Sequence, residues 1–485
     1  MKRKIIIIAV IALGLAIRLV RLNQPLSEFS TRQVETAMVA RNFYEHGFNL
    51  LYPEMDLLGQ GGVFALEPGL VPFLAALLYK WRHGVEEYLG RLLSIFFWLG
   101  TTYVYYRWLC LFSKRIAFWG VIIFTFLPLT IILSRTFQPE MAMLFFSIMG
   151  LYYLTRYSLG EGKTTLWIGS GSMALAILLK ITALSLLFPF LFLFFKRERR
   201  LGINFWLALF LAISPSLAWY SHAILLSYLH PSSLQKTWTL ANWINPGLWF
   251  KAESWRIIFT NFWGVTLTPL GFFLFGVGLF LKKEKSLESL FYYWLAGIAL
   301  SLFVLFYHSQ THIYYWLPLT AVGAYFMATG ISALIEGRLG DRLYKNIFLR
   351  LILILLVGLT IFYYTYPAYR VPRAYGRAKE VAEAVKILVP GESLVIASCS
   401  SGPYFLYYCH RRGWDFWIND PHIDAIGHLE SLRRLGGEYF ASANIGELND
   451  NRIFRDYLYR TYKVVWEEKG RGVIFIIKQN ENSSG

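Results

Sequence analysis

Long apolar runs recur from the N-terminus to about residue 366, many of them near the roughly 20 residues that a helix needs to cross the hydrocarbon core of a bilayer. The first, Ile5 to Val20, follows the basic start Lys2-Arg3-Lys4 and is interrupted by Arg18. Arg18 and Arg21 stand where a signal peptide would carry small residues before its cleavage site, so a retained first span is expected. Further spans are predicted near 88–112, 116–135, 139–157, 165–180, 182–195, 203–225, 257–280, 287–307, 314–335 and 346–366. The count is about eleven, with the fifth and sixth poorly separated.

Two segments break this pattern and are too long to be connectors. In residues 21–87, Thr31 to Gly47 has helical periodicity, with Val34, Ala37, Met38 and Tyr44 on one side and Arg32, Glu35 and Asn42 on the other. Pro68 to Trp81 is a second amphipathic stretch, of the kind that lies in a membrane interface. Between them, Gly59-Gln60-Gly61-Gly62 reads as a flexible turn. The tail, 367–485, returns to soluble charge density and alternates: a helix near 374–388, a strand Ser393–Ala397, a helix near 423–435 and a strand Gly472–Lys478. The expected fold is therefore an α-helical polytopic membrane domain, residues 1–366, with a small extracytoplasmic α/β domain, 367–485.

Composition supports the membrane reading. Of 485 residues, 56% are hydrophobic, 18% aromatic and only 16% charged, whereas soluble chains carry about 25% charged residues. A disordered chain, a coiled coil and an ordinary cytosolic enzyme are excluded. The net charge of +17 does not indicate nucleic acid, because the basic residues punctuate the apolar runs. Lys2/Arg3/Lys4, Arg107/Lys114/Arg115, Arg156/Lys163, Lys196/Arg197/Arg199/Arg200, Lys282/Lys283/Lys285 and Arg338/Arg342/Lys345/Arg350 fall in every second loop, the positive-inside pattern. With an odd number of spans, this places the N-terminus in the cytoplasm and the C-terminal domain outside, in a cell (inner or plasma) membrane.

Ionisable groups near hydrocarbon depth are rare unless they work, so they carry the functional reading. Glu140 opens the fourth span behind Pro139, and Glu35 lies one turn after Arg32. Glu67 and Asp56 are further loop carboxylates. Arg91, Arg135, Lys180, His308 and His312 fall on the extracytoplasmic side in this topology. Together they describe a pocket with carboxylates on one flank and phosphate-binding cations on the other. Helix capping by Glu140, a surface ion pair for Glu35 and snorkelling for Lys180 are the structural alternatives. There is no P-loop, no GxGxxG after a strand and no HExxH. His308 and His312 have i, i+4 spacing, but no metal site is assigned; no cofactor is expected, with a divalent metal compatible but unsupported. Cys110 reads as structural, and Cys399 and Cys409 share the external domain, where an oxidising compartment permits pairing. Trp238, Trp243 and Trp249 read either as sugar platforms or as an interfacial belt.

The layout and several short motifs resemble the GT-C superfamily of integral-membrane glycosyltransferases. They are most similar to the bacterial branch related to protein O-mannosyltransferases and to the aminoarabinose transferases that modify lipid A. The stretch Thr31-Arg32-Gln33-Val34-Glu35-Thr36-Ala37 through Ala40-Arg41-Asn42-Phe43-Tyr44 is similar to the family's first-loop segment, with Glu35 where aspartate is usual. Leu51-Tyr52-Pro53, Glu67-Pro68, Gly90-Arg91-Leu92, Arg135 with Pro139-Glu140, Leu179-Lys180 and His312-Ile313-Tyr314-Tyr315-Trp316-Leu317-Pro318 also match. The resemblance implies a polyprenyl-phosphate-linked sugar as donor, an extracytoplasmic acceptor (envelope lipid, glycan or protein), and inversion at the anomeric carbon. It places Glu35 and Glu140 in catalysis, Arg91, Lys180, His312 and Arg135 on the donor phosphate, and Arg32, Gln33, Glu67, Tyr314 and Tyr315 around substrate. The implied partners are that donor, the acceptor and membrane lipids, with no nucleic acid. A lipid-linked sugar transporter or flippase and an envelope glycan polymerase or ligase are the rival readings; repeated halves and Gly/Pro-broken midplane helices, usual in transporters, are not evident in the sequence.

Overall fold

The computed structural model describes residues 2–27, 31–60, 62–63, 66–198, 200–230, 244–282, 285–335, 347–399, 401–420 and 422–478. Trp238, Trp243, Arg199, Lys283, Arg338, Arg342 and Lys345 lie outside the described residues. The chain forms two compact units: Met1–Leu22 with Tyr88–Ser221 and Trp238–Tyr369, and Asn23–Glu87 with His222–Thr237 and Arg370–Gly485.

The first unit is helical, and helices occupy each stretch where the apolar pattern predicts a span. Among the described residues, Ile203–Leu229, Ser286–Val304, Ile313–Ile335 and Leu351–Leu388 are long and apolar enough to cross a membrane. A bent pair, Ala252–Thr266 with Pro269–Phe280, makes up to five; its halves meet at 94°. The remaining predicted spans fall short for local reasons. Lys114–Phe126 and Pro128–Leu133 are separated at Leu127, where a proline opens the second helix. The sixth predicted span is a 3-10 turn, Ile181–Leu186, followed by the 11-residue helix Leu187–Arg197. Glu140–Ser158 carries Glu140, Arg156 and several tyrosines, but most of its residues are buried against protein. A helix shielded by its neighbours does not need a wholly apolar surface.

Packing inside this unit depends on aromatic side chains and on small residues where helices cross. Trp108 lies 4.9 Å from Phe291, and Phe291 stacks on Tyr325 at 3.5 Å. Helices Pro269–Phe280 and Leu317–Ile335 meet at paired glycines. A Cβ on Gly278 would fall 1.8 Å from the Phe326 carbonyl oxygen, and one on Gly330 2.5 Å from that of Leu274. Close approach through small residues is how helices gain contact where lipid is as apolar as leucine.

The second unit contains the sheet and is built from three separate parts of the chain. Strands β1 (Leu394–Ser398), β2 (Gly413–Asp415), β3 (Gly437–Ser442), β4 (Lys463–Glu468) and β5 (Gly472–Ile476) form one sheet in the order β2-β1-β3-β5-β4. The pairs β1–β2 and β1–β3 are parallel, and β5 is antiparallel to β3 and β4. Phe416, Leu429, Phe440, Phe454, Leu458 and Phe475 are buried in its core. The predicted tail helices and strands are present at Arg373–Leu388, β1, Ala425–Arg434 and β5. The three remaining strands are additions; β2 is only three residues long and too short to show a period.

The loop 23–87, grouped with the spans in the sequence, packs within this sheet unit. Gly413 N donates to Asp56 O at 2.9 Å and Gly59 N donates to Gly413 O at 2.9 Å, so the loop covers the edge of β2. A Cβ on Gly413 would lie 1.7 Å from Val395 O, which explains glycine there. The helix Arg32–His46 departs from the predicted amphipathic form. Its polar residues Arg32, Gln33, Arg41 and Asn42 are buried as well as its apolar ones, because loop and tail residues of the same unit surround it.

Candidate functional site

In the helical unit, two breaks in helices bring opposite charges together. Pro139 precedes the helix that Glu140 opens, a position where the missing N–H costs nothing. Helix Lys163–Leu179 ends where Lys180 turns to extended backbone, at φ −153° and ψ 123°, its N–H still donating to Ala176 O at 3.0 Å. The Lys180 side chain then reaches Glu140, with Nζ 2.9 Å from Oε1 and side chains 10% and 1% exposed. The same Nζ lies 4.9 Å from the centroid of Tyr314. Tyr314 stacks on His312 at 5.1 Å and contacts Tyr315 at 4.9 Å, while His308 lies 6.2 Å from His312. Five of the predicted site residues, Glu140, Lys180, His312, Tyr314 and Tyr315, are thus neighbours. Nearby in this unit Trp249 stacks on Phe303 at 4.5 Å.

Arg91 and Arg135, predicted on the donor phosphate, have a different setting. Both are fully buried. Arg91 Nη1 donates to Leu22 O at 2.6 Å, and Arg135 Nη2 donates to Val20 O at 2.7 Å with its guanidinium 3.7 Å from the Tyr369 ring. Arg18, also fully buried, donates to Ser134 Oγ, Gly14 O and Thr125 O and lies 3.7 Å from the Trp98 ring. A helix end leaves its last carbonyls without partners. Arg91 and Arg135 satisfy carbonyls just beyond Leu19, where the first helix ends, and Arg18 ties that helix to Thr125 and Ser134.

In the sheet unit, Arg32 is the hinge of a second cluster. Its Nη1 lies 3.0 Å from Glu35 Oε2 and its Nη2 2.5 Å from Glu67 Oε1, with side chains 8%, 15% and 14% exposed. Arg32, Glu35 and Glu67 are therefore brought together, and the pair is more enclosed than a surface i, i+3 contact. Gln33, adjacent in sequence, is fully buried. The sequence pattern shows no role for Arg41, yet the structure makes it central. It pairs with Asp56, donates to Tyr407 O at 2.7 Å and has its guanidinium 4.6 Å from the Tyr407 ring. Asn42 donates to the other Asp56 oxygen at 3.2 Å. The only sequence signal was the family-like stretch containing Arg41, since its partners are far away along the chain.

Burial moves two titratable groups of this unit. The Asp415 carboxyl is pushed up to about 6, burial outweighing hydrogen bonds from Trp417 and the backbone of Phe416 and Gly402. The His410 imidazole is pushed down to about 4, by partial burial first and then by Arg41, Lys386 and Arg411. Cys399 and Cys409 are unpaired, their thiols directed to the carbonyls of Ser401 and Leu406, and burial raises both, Cys409 to about 12. Among the described residues, no group of three or more His, Cys, Asp or Glu is arranged to hold a metal ion.

Residues 67–219 match the family model of dolichyl-phosphate-mannose-protein mannosyltransferases. No curated protein sequence matches the chain. Among solved structures, ArnT from Cupriavidus metallidurans in the apo state is similar at a TM-score of 0.64 and 12% identity, covering 97% of each chain. The same protein bound to undecaprenyl phosphate is similar at 0.61 and 12%, again covering 97% of each. The Archaeoglobus fulgidus oligosaccharyltransferase AglB, in complex with an inhibitory peptide and a dolichol-phosphate, gives a TM-score of 0.51 at 13% identity, covering 91% of this chain and 69% of its own. The helical arrangement, the sheet that follows it and these likenesses lead to one assignment: the chain has the fold of ArnT from Cupriavidus metallidurans, shared over nearly its whole length.

Proposed function

We propose that this chain is an inverting glycosyltransferase that moves a sugar from a polyprenyl-phosphate carrier to an extracytoplasmic acceptor. The observation that carries the reading is the buried Glu140–Lys180 pair, which lies inside the segment matched by the mannosyltransferase family model. A solved structure of similar fold is bound to undecaprenyl phosphate and another to dolichol-phosphate, which supports a lipid phosphate as the donor's leaving group.

The chemistry follows from the residue types. Glu35, held by Arg32, takes the proton from an acceptor hydroxyl. That oxygen attacks the anomeric carbon from the face opposite the phosphate, and the carbon–oxygen bond to phosphate breaks with its electron pair going to the phosphate oxygen. Configuration at the carbon inverts. Lys180 and His312 stabilise the anionic phosphate as it leaves; Glu140 positions Lys180, and the stacked Tyr314 and Tyr315 form an aromatic wall for sugar. Arg91 and Arg135 act as positioning residues through the backbone they hold. The basic loops support about eleven spans in a cell membrane, with the N-terminus cytoplasmic and the sheet unit outside.

The test incubates purified protein in lipid with a panel of polyprenyl-phosphate sugars and identifies products by mass spectrometry. Glu35→Gln keeps shape but cannot accept a proton, and turnover should fall by about 10²–10⁴-fold. Glu35→Asp should keep part of the activity. Near-normal turnover in both Glu35→Gln and Glu140→Gln would refute the mechanism.

A further inference from the structure

A cavity lies wholly within the sheet unit, at the end of the sheet where β1 and β2 begin. It has a volume of about 720 Å³ and is walled by the C-terminal half of helix Arg32–His46, the loop 54–60, the start of β1 and residues 410–412. That volume is within the range of about 300–1,000 Å³ typical of sites for small ligands. Its lining is almost entirely polar, with Leu394 the single aliphatic side chain among the lining residues.

The decisive feature is which charges in the wall are already spent. Arg41 is committed to Asp56 and Tyr407 O. Arg412 Nη2 lies 2.7 Å from Glu54 Oε2, and His46 Nδ1 lies 3.3 Å from the same oxygen. Arg411 donates to the carbonyls of Lys386, Val389, Cys409 and His410. Every guanidinium of the wall is thus held by protein. Glu45 and Glu392 also line the cavity and are exposed, and among the described residues neither has a hydrogen bond or ion pair, the Glu45 charge acting on Arg41 only through space. Gln60 adds an amide and His410 an imidazole. With its affinity for protons lowered by burial and the neighbouring cations, His410 is neutral near pH 7 and both donates and accepts.

Unspent groups select the ligand. Two carboxylates accept hydrogen bonds only, whereas the amide and the imidazole do both. Among the lining residues no guanidinium is left for a phosphate, sulfate or carboxylate, and Glu45 and Glu392 would repel one. A ligand rich in O–H donors, with no negative charge, satisfies the set. We infer that this cavity binds a neutral or aminated saccharide, held by Glu45 and Glu392 with Gln60 and His410. The inference rests on the glycosyl-transfer reading only in making that saccharide part of the acceptor; the binding itself is independent of transfer.

Saturation-transfer NMR on the full-length protein in lipid nanodiscs tests it, with three soluble probes: a neutral hexose disaccharide, a glucosamine disaccharide and a glucuronic-acid disaccharide. The first two should receive saturation and the third should not. Glu45→Ala with Glu392→Ala should weaken binding of both by at least about tenfold, the loss of one to two hydrogen bonds to charged groups. Both side chains are exposed and, among the described residues, make no hydrogen bond or ion pair, so the double variant should unfold close to the wild-type temperature. Equal affinity in wild type and double variant, absence of saturation transfer, or preference for the glucuronic-acid probe would overturn the inference. Glu35→Gln, measured alongside, should bind the saccharides as wild type does while losing turnover. Retained turnover there would remove the transfer mechanism and leave the saccharide result to stand on its own data.

Discussion

Lys180→Met removes one partner of an ion pair whose other partner is 1% exposed. At the observed 2.9 Å, the gross attraction is roughly 6 kcal/mol for an effective dielectric constant of about 20. Desolvation of the two ions, several kcal/mol each, offsets most of this, so the intact pair contributes little net stability. The single variant is another matter: it leaves Glu140 buried and uncompensated, at about 3–5 kcal/mol. Glu140→Gln should be costly too, because it removes the carboxylate that the Lys180 ammonium faces. The double variant, Glu140→Gln with Lys180→Met, strands nothing and should regain most of the loss. The coupling between the sites should therefore exceed about 2 kcal/mol, toward the upper end for contacting residues. Tryptophan-fluorescence thermal unfolding of the four proteins in one detergent reads the order directly: wild type and double variant close together, both singles well below. Donor affinity, measured on the same samples with polyprenyl phosphate, should be lost in the double variant although its stability returns. Additive losses within about 0.5 kcal/mol would show that the two charges are solvated separately and would refute the argument from the buried pair.

The orientation is open to thiol labelling. In a background without Cys110, Cys399 and Cys409, Lys478→Cys should react with an impermeant reagent in intact cells, and Ser286→Cys only after lysis; both positions are exposed, and the reverse pattern would overturn the orientation. Stability of the sheet unit should carry two opposed pH slopes. The Asp415 carboxyl, raised from 3.8 to about 6, binds more protons folded than unfolded, so its contribution is present below pH 3.8 and is lost as pH rises toward 6, by about 3 kcal/mol at most. His410, lowered from 6.5 to about 4, binds fewer protons folded, so its contribution rises over pH 4 to 6.5. Asp415→Asn should therefore steepen the rise of melting temperature with pH in this window, and His410→Gln should flatten or reverse it; identical profiles for wild type and both variants would contradict the buried settings of these groups.

Arg41 shows where sequence reading stops. Its spacing from Arg32 and Glu35 places it on a helix, but its partner Asp56 is reached only because the loop folds back along that helix. Tyr407, whose carbonyl it also holds, is 366 residues away. Arg91 and Arg135 illustrate the converse: a buried arginine in an apolar run signals a demand for acceptors, and a lipid phosphate and a backbone carbonyl meet that demand equally well. Only the structure shows that Arg91 and Arg135 hold the carbonyls of Leu22 and Val20. The carboxylates Glu35 and Glu140 and the cation Lys180 were legible because charge at hydrocarbon depth or in an enclosed loop is costly, and cost marks a residue without any knowledge of its neighbours.

The sequence by itself determined that the chain is a helical membrane protein with a sheet-containing tail, because apolar run length and strand alternation are local properties that solvent imposes residue by residue. It also determined which titratable groups merit a functional reading. Only the tertiary structure decided that the first long loop belongs with the tail rather than with the spans, that Glu140 meets Lys180, that Arg32 holds both Glu35 and Glu67, and that the arginines of one polar cleft are held by Asp56, Glu54 and backbone carbonyls while Glu45 and Glu392 stand exposed in its wall. Those outcomes depend on which donors and acceptors distant segments bring together, and pairing of that kind leaves no period in the sequence.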